Sequence, residues 1–231
     1  KEIGGADFAS GLFEQATDLG AEIRLERVNE IKNLGSFKTV VTDGGSYDCK
    51  AVIIACGVKS KRLGAKGEEE FIGKGVSYCA TCDGAFYRDV PVAVIGGGDS
   101  AMEEANFLTR FASEVIVVHR RDKLRASKIM AERAEKNPKI RFVWHSAVSE
   151  IFGENEVDGI KVKNLLTNEE NTINCKGVFV ALGHVPNTKA FAGQVDMDDA
   201  GYIDLQDNTS YTSVEGVFAA GDCADKRYRQ A

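Results

Sequence analysis

The stretch PVAVIGGGDSA, residues 91–101, decides the fold. Its first half is a short apolar run, typical of a strand buried on both faces of a parallel sheet. The residues that follow match the pattern Gly-x-Gly-x-x-Ala. Because this pattern follows a predicted strand and opens a predicted helix, it indicates a turn that binds the pyrophosphate of a dinucleotide at the helix N-terminus. The alternative is a glycine-rich turn with no ligand. The predicted nucleotide contacts are Gly96, Gly98, Asp99, Ser100 and Ala101.

The chain beyond this turn alternates helices and strands. A helix is predicted over 99–112, a strand over 113–121, a second helix over 128–137 and a further strand over 140–146. With the strand before the glycines, this is a β-α-β-α-β order. That order predicts the α/β class, with a doubly wound parallel sheet.

The basic segment after the second strand predicts which dinucleotide binds. A site for NAD normally carries an acidic residue about 20 positions after the glycines, to hold the ribose 2′-hydroxyl. This chain carries a basic cluster there instead. Guanidinium groups bind a 2′-phosphate, which a carboxylate would repel, so the pattern favours NADP(H). The alternative is a solvated basic face. The predicted contacts are His119, Arg120, Arg121 and Arg125.

A Cys-x-x-Cys pair, Cys79 and Cys82, lies shortly before the glycine turn. Two thiols at this spacing can close a small disulfide loop, and Asp83 stands beside them as a proton donor or acceptor. The alternatives are half of a zinc site and a pair of inert thiols. A structural zinc site would need a second Cys or His pair at ligand spacing, and the sequence offers none, so no metal is expected.

Composition and charge limit the classes of function that the chain can have. The chain has 231 residues and a formal net charge of −6, which does not favour a nucleic-acid surface. It contains no apolar run long enough to span a bilayer and no signal-peptide pattern, so no membrane association and a cytoplasmic location are expected. Three apolar strands, VIIACG, VFVALG and VFAAGD, end alike on glycine. This similarity indicates two related nucleotide-binding units in one chain.

Six motifs together resemble the low-molecular-weight thioredoxin reductases. In chain order they are CATCDG, VIGGGDSA, HRRDKLRAS, GVFVALGHVPNT, GVFAAGDCAD and YRQA. The resemblance implies two Rossmann-like nucleotide-binding domains, with the NADPH domain inserted into an FAD domain. The implied boundaries are 1–62 for the first FAD-domain segment, 63–188 for the NADPH domain with the Cys-x-x-Cys pair, and 189–231 for the returning FAD-domain segment. It also implies thioredoxin as partner, with FAD and NADPH as cofactors, and a homodimer for the full-length protein.

The resemblance assigns a role to each redox residue. Cys82 is the flavin-proximal sulfur, Cys79 attacks the thioredoxin disulfide, and Asp83 exchanges the proton. Further expected cofactor contacts are Gly183, Gly221, Asp222, Arg229, Gln230 and Ala231.

The chain departs from the family pattern at both ends. The N-terminal βαβ unit with its own Gly-x-Gly-x-x-Gly is not in this sequence, nor is the helix expected after Ala231. We therefore expect a family member that lacks both ends, with an incomplete FAD domain. Two alternatives stay open: a related flavin reductase that feeds a peroxiredoxin system, and a non-catalytic NADPH-binding module.

Overall fold

A computed structural model describes residues 4–33, 35–207 and 209–226. The chain divides into two compact units. Unit 1 comprises Lys1–Gly57 and Pro186–Ala231, and unit 2 is the continuous segment Val58–Val185. The chain crosses between units a few residues before each boundary that the family resemblance implies.

The first segment of unit 1 is one helix followed by short strands: α1 (Gly5–Asp18), β1 (Val28–Asn33), β2 (Lys38–Thr42), β3 (Ser46–Cys49) and β4 (Val52–Ile54). Strands β1, β2 and β3 form an antiparallel sheet. Residues 43–45, whose sequence Asp-Gly-Gly predicts a hairpin turn, connect β2 to β3. The sequence AEIRLERVNEIKNLG, residues 21–35, predicts a strand from its beginning, but the strand begins only at Val28.

Unit 2 contains most of the regular structure. Its elements are β5 (Val58–Ser60), β6 (Val76–Ser77), α2 (Ala80–Asp83), a 3-10 turn (Gly84–Phe86), β7 (Val92–Ile95), α3 (Asp99–Leu108), β8 (Val115–Val118), α4 (Lys128–Glu135), β9 (Ile140–Val143), β10 (Ser146–Gly153), β11 (Val157–Asn164), β12 (Glu170–Asn174), β13 (Gly177–Val180) and β14 (His184–Pro186), whose last residue begins the return to unit 1.

The core of unit 2 is a five-stranded parallel sheet in the order β6-β13-β7-β8-β9. All residues of β7, β8 and β13 are buried, as the continuous apolar runs predict. The predicted strand–helix alternation is confirmed, but the doubly wound arrangement is not, because helices cover only one face of the sheet. Because β7 and β8 are parallel neighbours, the glycine turn after β7 and the basic segment after β8 leave the same edge of the sheet.

Each face of this sheet is covered by a different layer. Helices α3 and α4 pack Ala101, Leu108 and Ala134 against one face. The antiparallel sheet β10-β11-β12 covers the other, with Ile151 and Ile160 in the core. The pattern of residues 158–183 predicts a hairpin and then a core strand. Strands β11 and β12 form the hairpin, and β10 extends it.

The returning segment of unit 1 adds a 3-10 turn (Lys189–Phe191), β15 (Val217–Ala219) and a second 3-10 turn (Gly221–Cys223). Strand β15 pairs in parallel with β4, with Ala219 opposite Ile54. The two strands share one hydrophobic cluster with Ile31 and Phe191. Among the described residues, no helix is both long and apolar enough to cross a membrane.

Candidate redox and nucleotide sites

Cys79 and Cys82 form a disulfide, with their Cα atoms 5.3 Å apart. Cys79 is the N-cap of α2, and its sulfur accepts a hydrogen bond from the backbone N–H of Cys82 at 3.2 Å. Cys79 is half-buried and Cys82 is exposed within its unit. Since a backbone N–H already points at the Cys79 sulfur, negative charge on that sulfur would be stabilised after reduction.

Ser77 connects the disulfide to Asp83. It lies on β6 and is only 4% exposed. Its hydroxyl donates to Asp83 Oδ2 at 2.6 Å and accepts from the Cys79 N–H at 3.1 Å. The hydroxyl therefore fixes one carboxylate oxygen of Asp83 relative to the first cysteine. Sequence reasoning missed Ser77. Its only signal in the sequence is a small polar residue at the end of a strand, two positions before Cys79.

The carboxylate of Glu68 holds the chain just before the disulfide. This buried carboxylate accepts the N–H groups of Leu63 and Gly64 at 2.8 and 2.7 Å and the Tyr78 hydroxyl at 2.7 Å. Burial by itself raises the pKa of Glu68, but these hydrogen bonds outweigh it and hold the pKa below its usual value. Arg62 also donates to the Tyr78 hydroxyl, at 2.7 Å. These hydrogen bonds thus connect Tyr78, the residue before Cys79, to the first residues of unit 2.

The predicted pyrophosphate turn has an open helix N-terminus. Gly98 is the N-cap of α3, and no side chain caps the helix there. The first N–H groups of α3 are therefore left for an anion, and the helix dipole favours negative charge at this end. Gly97 is required by close packing, because a Cβ atom would overlap the His119 ring. Ala101 is fully buried, whereas Ser100 is exposed.

The basic segment folds back onto the glycine turn. The N–H groups of Arg125 and Ala126 donate to the Gly97 carbonyl at 2.7 and 3.2 Å. Asp99 Oδ1 accepts from the backbone N–H and the hydroxyl of Ser127, at 2.7 and 2.8 Å. These bonds hold the Arg125 backbone beside the turn, and Asp99 acts as the anchor.

His119 lies beneath the turn. It is 5% exposed, and its Nε2 is 3.0 Å from the Lys123 carbonyl oxygen, so this nitrogen carries the hydrogen. Burial lowers the pKa of His119, and the charges of Arg125, Arg121 and Arg120 lower it further, against the opposing hydrogen bond to Lys123. The ring is therefore neutral near pH 7 and supports the turn from below.

A cavity of about 450 Å³ opens between the glycine turn and the basic segment. Arg120 and Arg125 line it, whereas Arg121 is exposed on the same segment and is not part of the lining. Lys61 and Arg62 also line it, and sequence reasoning missed both, because they are distant in the chain from the other cations. The Gly183 carbonyl accepts from the Lys61 N–H at 2.9 Å, so this glycine positions a lining residue.

These features fit a dinucleotide with an additional phosphate. An uncapped helix N-terminus and close backbone approach suit a pyrophosphate, and four cations around one cavity suit a molecule that carries several negative charges.

Unit 1 has a second cavity, of about 650 Å³, at the end of β15. Gly221 lines it with a φ of 73°, and no atom lies within 4 Å of the place where its side chain would be. A ligand can thus approach the backbone closely at this turn. Asp222 follows, half-buried. The arrangement fits part of a large cofactor. Arg229, Gln230 and Ala231, which the sequence assigns to the same cofactor, lie outside the described residues.

No group of three or more potential metal ligands occurs among the residues that the structure describes. The described cysteines outside the disulfide are Cys49, Cys56, Cys175 and Cys223.

Comparison with known proteins places the chain in a family. Residues 5–231 match the family model described as pyridine nucleotide-disulphide oxidoreductase. A thioredoxin reductase from Mycolicibacterium smegmatis is 48% identical over 229 residues, which are 99% of this chain and 74% of the relative.

Two solved structures are similar in both sequence and fold. Thioredoxin reductase from Streptococcus pyogenes is 43% identical with a TM-score of 0.89, over 99% of this chain and 74% of that one. Thioredoxin reductase from Giardia duodenalis is 41% identical with a TM-score of 0.91, over 99% of this chain and 75% of that one. The chain therefore belongs to the pyridine nucleotide-disulphide oxidoreductases and, among them, to the low-molecular-weight thioredoxin reductase family.

Proposed function

We propose that this chain catalyses the NADPH-dependent reduction of thioredoxin, with FAD as its second cofactor. The observation that carries the proposal is the Cys79–Cys82 disulfide, which lies in the same unit as an open dinucleotide turn and a cavity lined by four cations. Family membership supports a flavin and NAD(P)H, and the names of the relatives support thioredoxin as the protein substrate.

Each unit has its own part in this proposal. Unit 2 binds NADPH in the basic cavity, where Arg120 and Arg125 hold the 2′-phosphate. Unit 1 contributes Gly221 and Asp222 to the flavin site. When bound, the two cofactors supply the electron pair that reduces the Cys79–Cys82 disulfide.

The chain's own residues then carry the electrons to the partner. The Cys79 thiolate, stabilised by the Cys82 N–H, attacks one sulfur of the thioredoxin disulfide. That disulfide breaks and a mixed disulfide forms. Cys82 then attacks Cys79, the Cys79–Cys82 disulfide closes again, and thioredoxin leaves as a dithiol.

In this proposal Asp83 handles the proton that the dithiol gains or loses. The Ser77 hydroxyl, which donates to Asp83 Oδ2 at 2.6 Å, supports this role because it holds the carboxylate near the disulfide. The same segment presents Phe86, which is 81% exposed. An exposed aromatic side chain close to a redox pair favours a protein substrate over a small one, because aromatic residues are enriched in protein–protein contacts.

The test is the reduction of thioredoxin by NADPH in the presence of FAD. We expect Cys79→Ser and Cys82→Ser each to abolish turnover, because two thiols are required to resolve the mixed disulfide. Cys49→Ser is the matched control, since Cys49 is a half-buried cysteine on β3, outside both sites, and should leave activity unchanged. Sustained thioredoxin turnover by either single variant of the disulfide would refute the proposal. Reduction of a peroxiredoxin-type partner in preference to thioredoxin would favour the alternative, a related flavin reductase that feeds a peroxiredoxin system.

A further inference from the structure

Two cysteines outside the redox disulfide lie together in unit 1. Cys56 follows β4, and Cys223 ends the 3-10 turn after β15. Since β4 and β15 are parallel neighbours, the chain leaves both strands at the same edge. The Cys223 thiol donates to the carbonyl of Ile54, two residues before Cys56, at 3.4 Å, and to the Ala220 carbonyl at 3.3 Å.

The two thiols belong to one hydrophobic cluster. Cys223 is one of its buried members, and Cys56 packs against it as a partly buried one. Cys223 is completely buried, while Cys56 is half-buried and therefore the more accessible of the two. Neither is part of a disulfide.

We propose that Cys56 and Cys223 are a second thiol–disulfide pair, a modification site that small-molecule disulfides oxidise by two exchange steps. Cys56 is the attacking residue because a reagent can reach it. Cys223 is the resolving residue because it lies buried against Cys56. This inference does not rest on the proposed function, since it involves neither the redox disulfide nor a cofactor.

Each of the two steps is a thiol–disulfide exchange. The Cys56 thiolate attacks one sulfur of the small disulfide, whose S–S bond breaks, and one small thiol leaves. Cys223 loses its proton and attacks the Cys56 sulfur of the mixed disulfide. The Cys56–Cys223 bond forms and the second small thiol leaves. Two electrons pass from the protein to the small disulfide, and the two protons end on the released thiols.

The surroundings of Cys56 make this reaction slow near neutral pH. Burial and then the neighbouring Cys223 raise the pKa of Cys56 to about 11. The thiolate is the nucleophile, so few Cys56 side chains are reactive at pH 7. The pair therefore stays reduced there and is best oxidised in mildly alkaline solution.

A disulfide at this place would tie together the two separate segments of unit 1. All of unit 2, Val58–Val185, lies in the loop between Cys56 and Cys223. Closing so long a loop restricts the unfolded chain, which is the principal way in which disulfides stabilise proteins. Oxidation should thus stabilise unit 1 without altering the core of unit 2.

The experiment uses the purified protein with cystamine, a small disulfide, at about pH 9, where a thiol of raised pKa begins to ionise. Trypsin digestion without reduction then places Cys56 in peptide 51–59 and Cys223 in peptide 190–226, each with a single cysteine. We expect the cross-linked pair of these peptides to become the main form of both cysteines. Cys49, in peptide 39–50, should carry only a cysteamine adduct.

Two variants separate the steps. Cys223→Ser should accumulate a stable cysteamine adduct on Cys56, because the resolving thiol is missing. Cys56→Ser should leave the buried Cys223 unmodified. The proposal is overturned if the wild-type protein yields no cross-linked peptide, if both cysteines carry separate stable adducts, or if Cys56 pairs with Cys49 instead. These outcomes need only the wild-type protein, so they hold even where a variant fails to fold.

Discussion

The two units differ in how far they bury their apolar residues. In unit 2 the strands Val92–Ile95, Val115–Val118 and Gly177–Val180 are buried throughout, because one face is covered by helices and the other by an antiparallel sheet. In unit 1, α1 buries no residue, and Phe8 on this helix is 51% exposed in this chain. The glycine turn and the redox disulfide both lie in the unit whose central sheet is covered on both faces, where packing fixes the strand ends.

The two cavities differ in charge as well. The lining of the unit 2 cavity includes Lys61, Arg62, Arg120 and Arg125 and no carboxylate. Among the described residues, the lining of the unit 1 cavity combines Lys226 with Asp204 and Asp225. Because NADPH carries both a pyrophosphate and a 2′-phosphate, the basic cavity of unit 2 is the better match.

Because the two units differ in packing, the largest loss of stability is expected at a buried phenylalanine of unit 2. Phe179→Ala in β13 should lower the free energy of unfolding of unit 2 by about 3–5 kcal/mol, the usual cost of removing a fully buried ring. The ring also meets Tyr87 edge-on at 5.3 Å. Unfolding in urea can be followed by the fluorescence of Trp144, the single tryptophan, which stacks on Phe142 in unit 2.

Phe8→Ala is the matched control, since it removes the same ring from an exposed position of unit 1. Its effect on the Trp144 transition should stay below about 0.5 kcal/mol. An equal change in the free energy of unfolding in Phe179→Ala and Phe8→Ala would contradict the difference in packing between the two positions.

Glu104 provides a pH-dependent test of how tightly unit 2 is packed. One carboxylate oxygen of Glu104 on α3 is buried without a hydrogen-bond partner among the described residues. Burial, and then the charge of Glu103, raise the pKa of Glu104 to about 7. The folded-state pKa lies above the ordinary value, so the associated stability is fully present below about pH 4.5 and is lost as the pH rises through 7.

Glu104→Gln removes the ionisation and should stabilise unit 2 relative to wild type by on the order of 2–3 kcal/mol at pH 8. The advantage should shrink steadily towards pH 5, because Glu104 is then protonated in the folded protein. Glu103→Gln, an exposed neighbour, is the control and should show a much smaller pH dependence. A constant difference between Glu104→Gln and wild type from pH 5 to pH 8 would contradict the assignment.

The parts of unit 2 that sequence reasoning predicted are those encoded locally. The apolar runs of β7 and β8, the glycines between β7 and α3, and the arginines after β8 each carry their own signal over a few neighbouring residues. The Cys-x-x-Cys spacing belongs to the same class, and the structure closes it into a disulfide.

The parts that were missed depend on contacts distant in sequence. Lys61 and Arg62 line the basic cavity because they follow β5 at the start of unit 2. Glu68 matters because its carboxylate accepts two backbone N–H groups and the Tyr78 hydroxyl. Cys56 and Cys223 are distant in the sequence, and only the β4–β15 pairing brings them together. No short pattern in the sequence records such pairings.

Arg125→Ala tests the role of the positive charges in the unit 2 cavity. Loss of one charge-assisted hydrogen bond, worth about 1.5–3 kcal/mol, should weaken NADPH binding roughly ten- to hundredfold. NADH lacks the 2′-phosphate and should bind almost unchanged. Arg110→Ala is the control, because Arg110 is an exposed arginine of the same unit that stacks over Phe107, away from the cavity lining. Equal losses for NADPH and NADH, measured by titration, would exclude a 2′-phosphate contact.

The smallest expected effect concerns how the basic segment is held. Ser127→Ala removes the hydroxyl hydrogen bond to Asp99 Oδ1 at 2.8 Å but keeps the backbone N–H bond at 2.7 Å. One exposed neutral-donor bond contributes about 0.5–1 kcal/mol, so KM for NADPH should rise about two- to fivefold. The value of kcat should not change, because Ser127 acts only by positioning Arg125 beside the Gly97 carbonyl. Ser127→Thr retains the hydroxyl and should restore the KM. A loss in kcat, or an equal rise in KM for NADH, would contradict this positioning role. NADPH and NADH differ only in the 2′-phosphate, so a segment that positions this group should affect KM for NADPH alone.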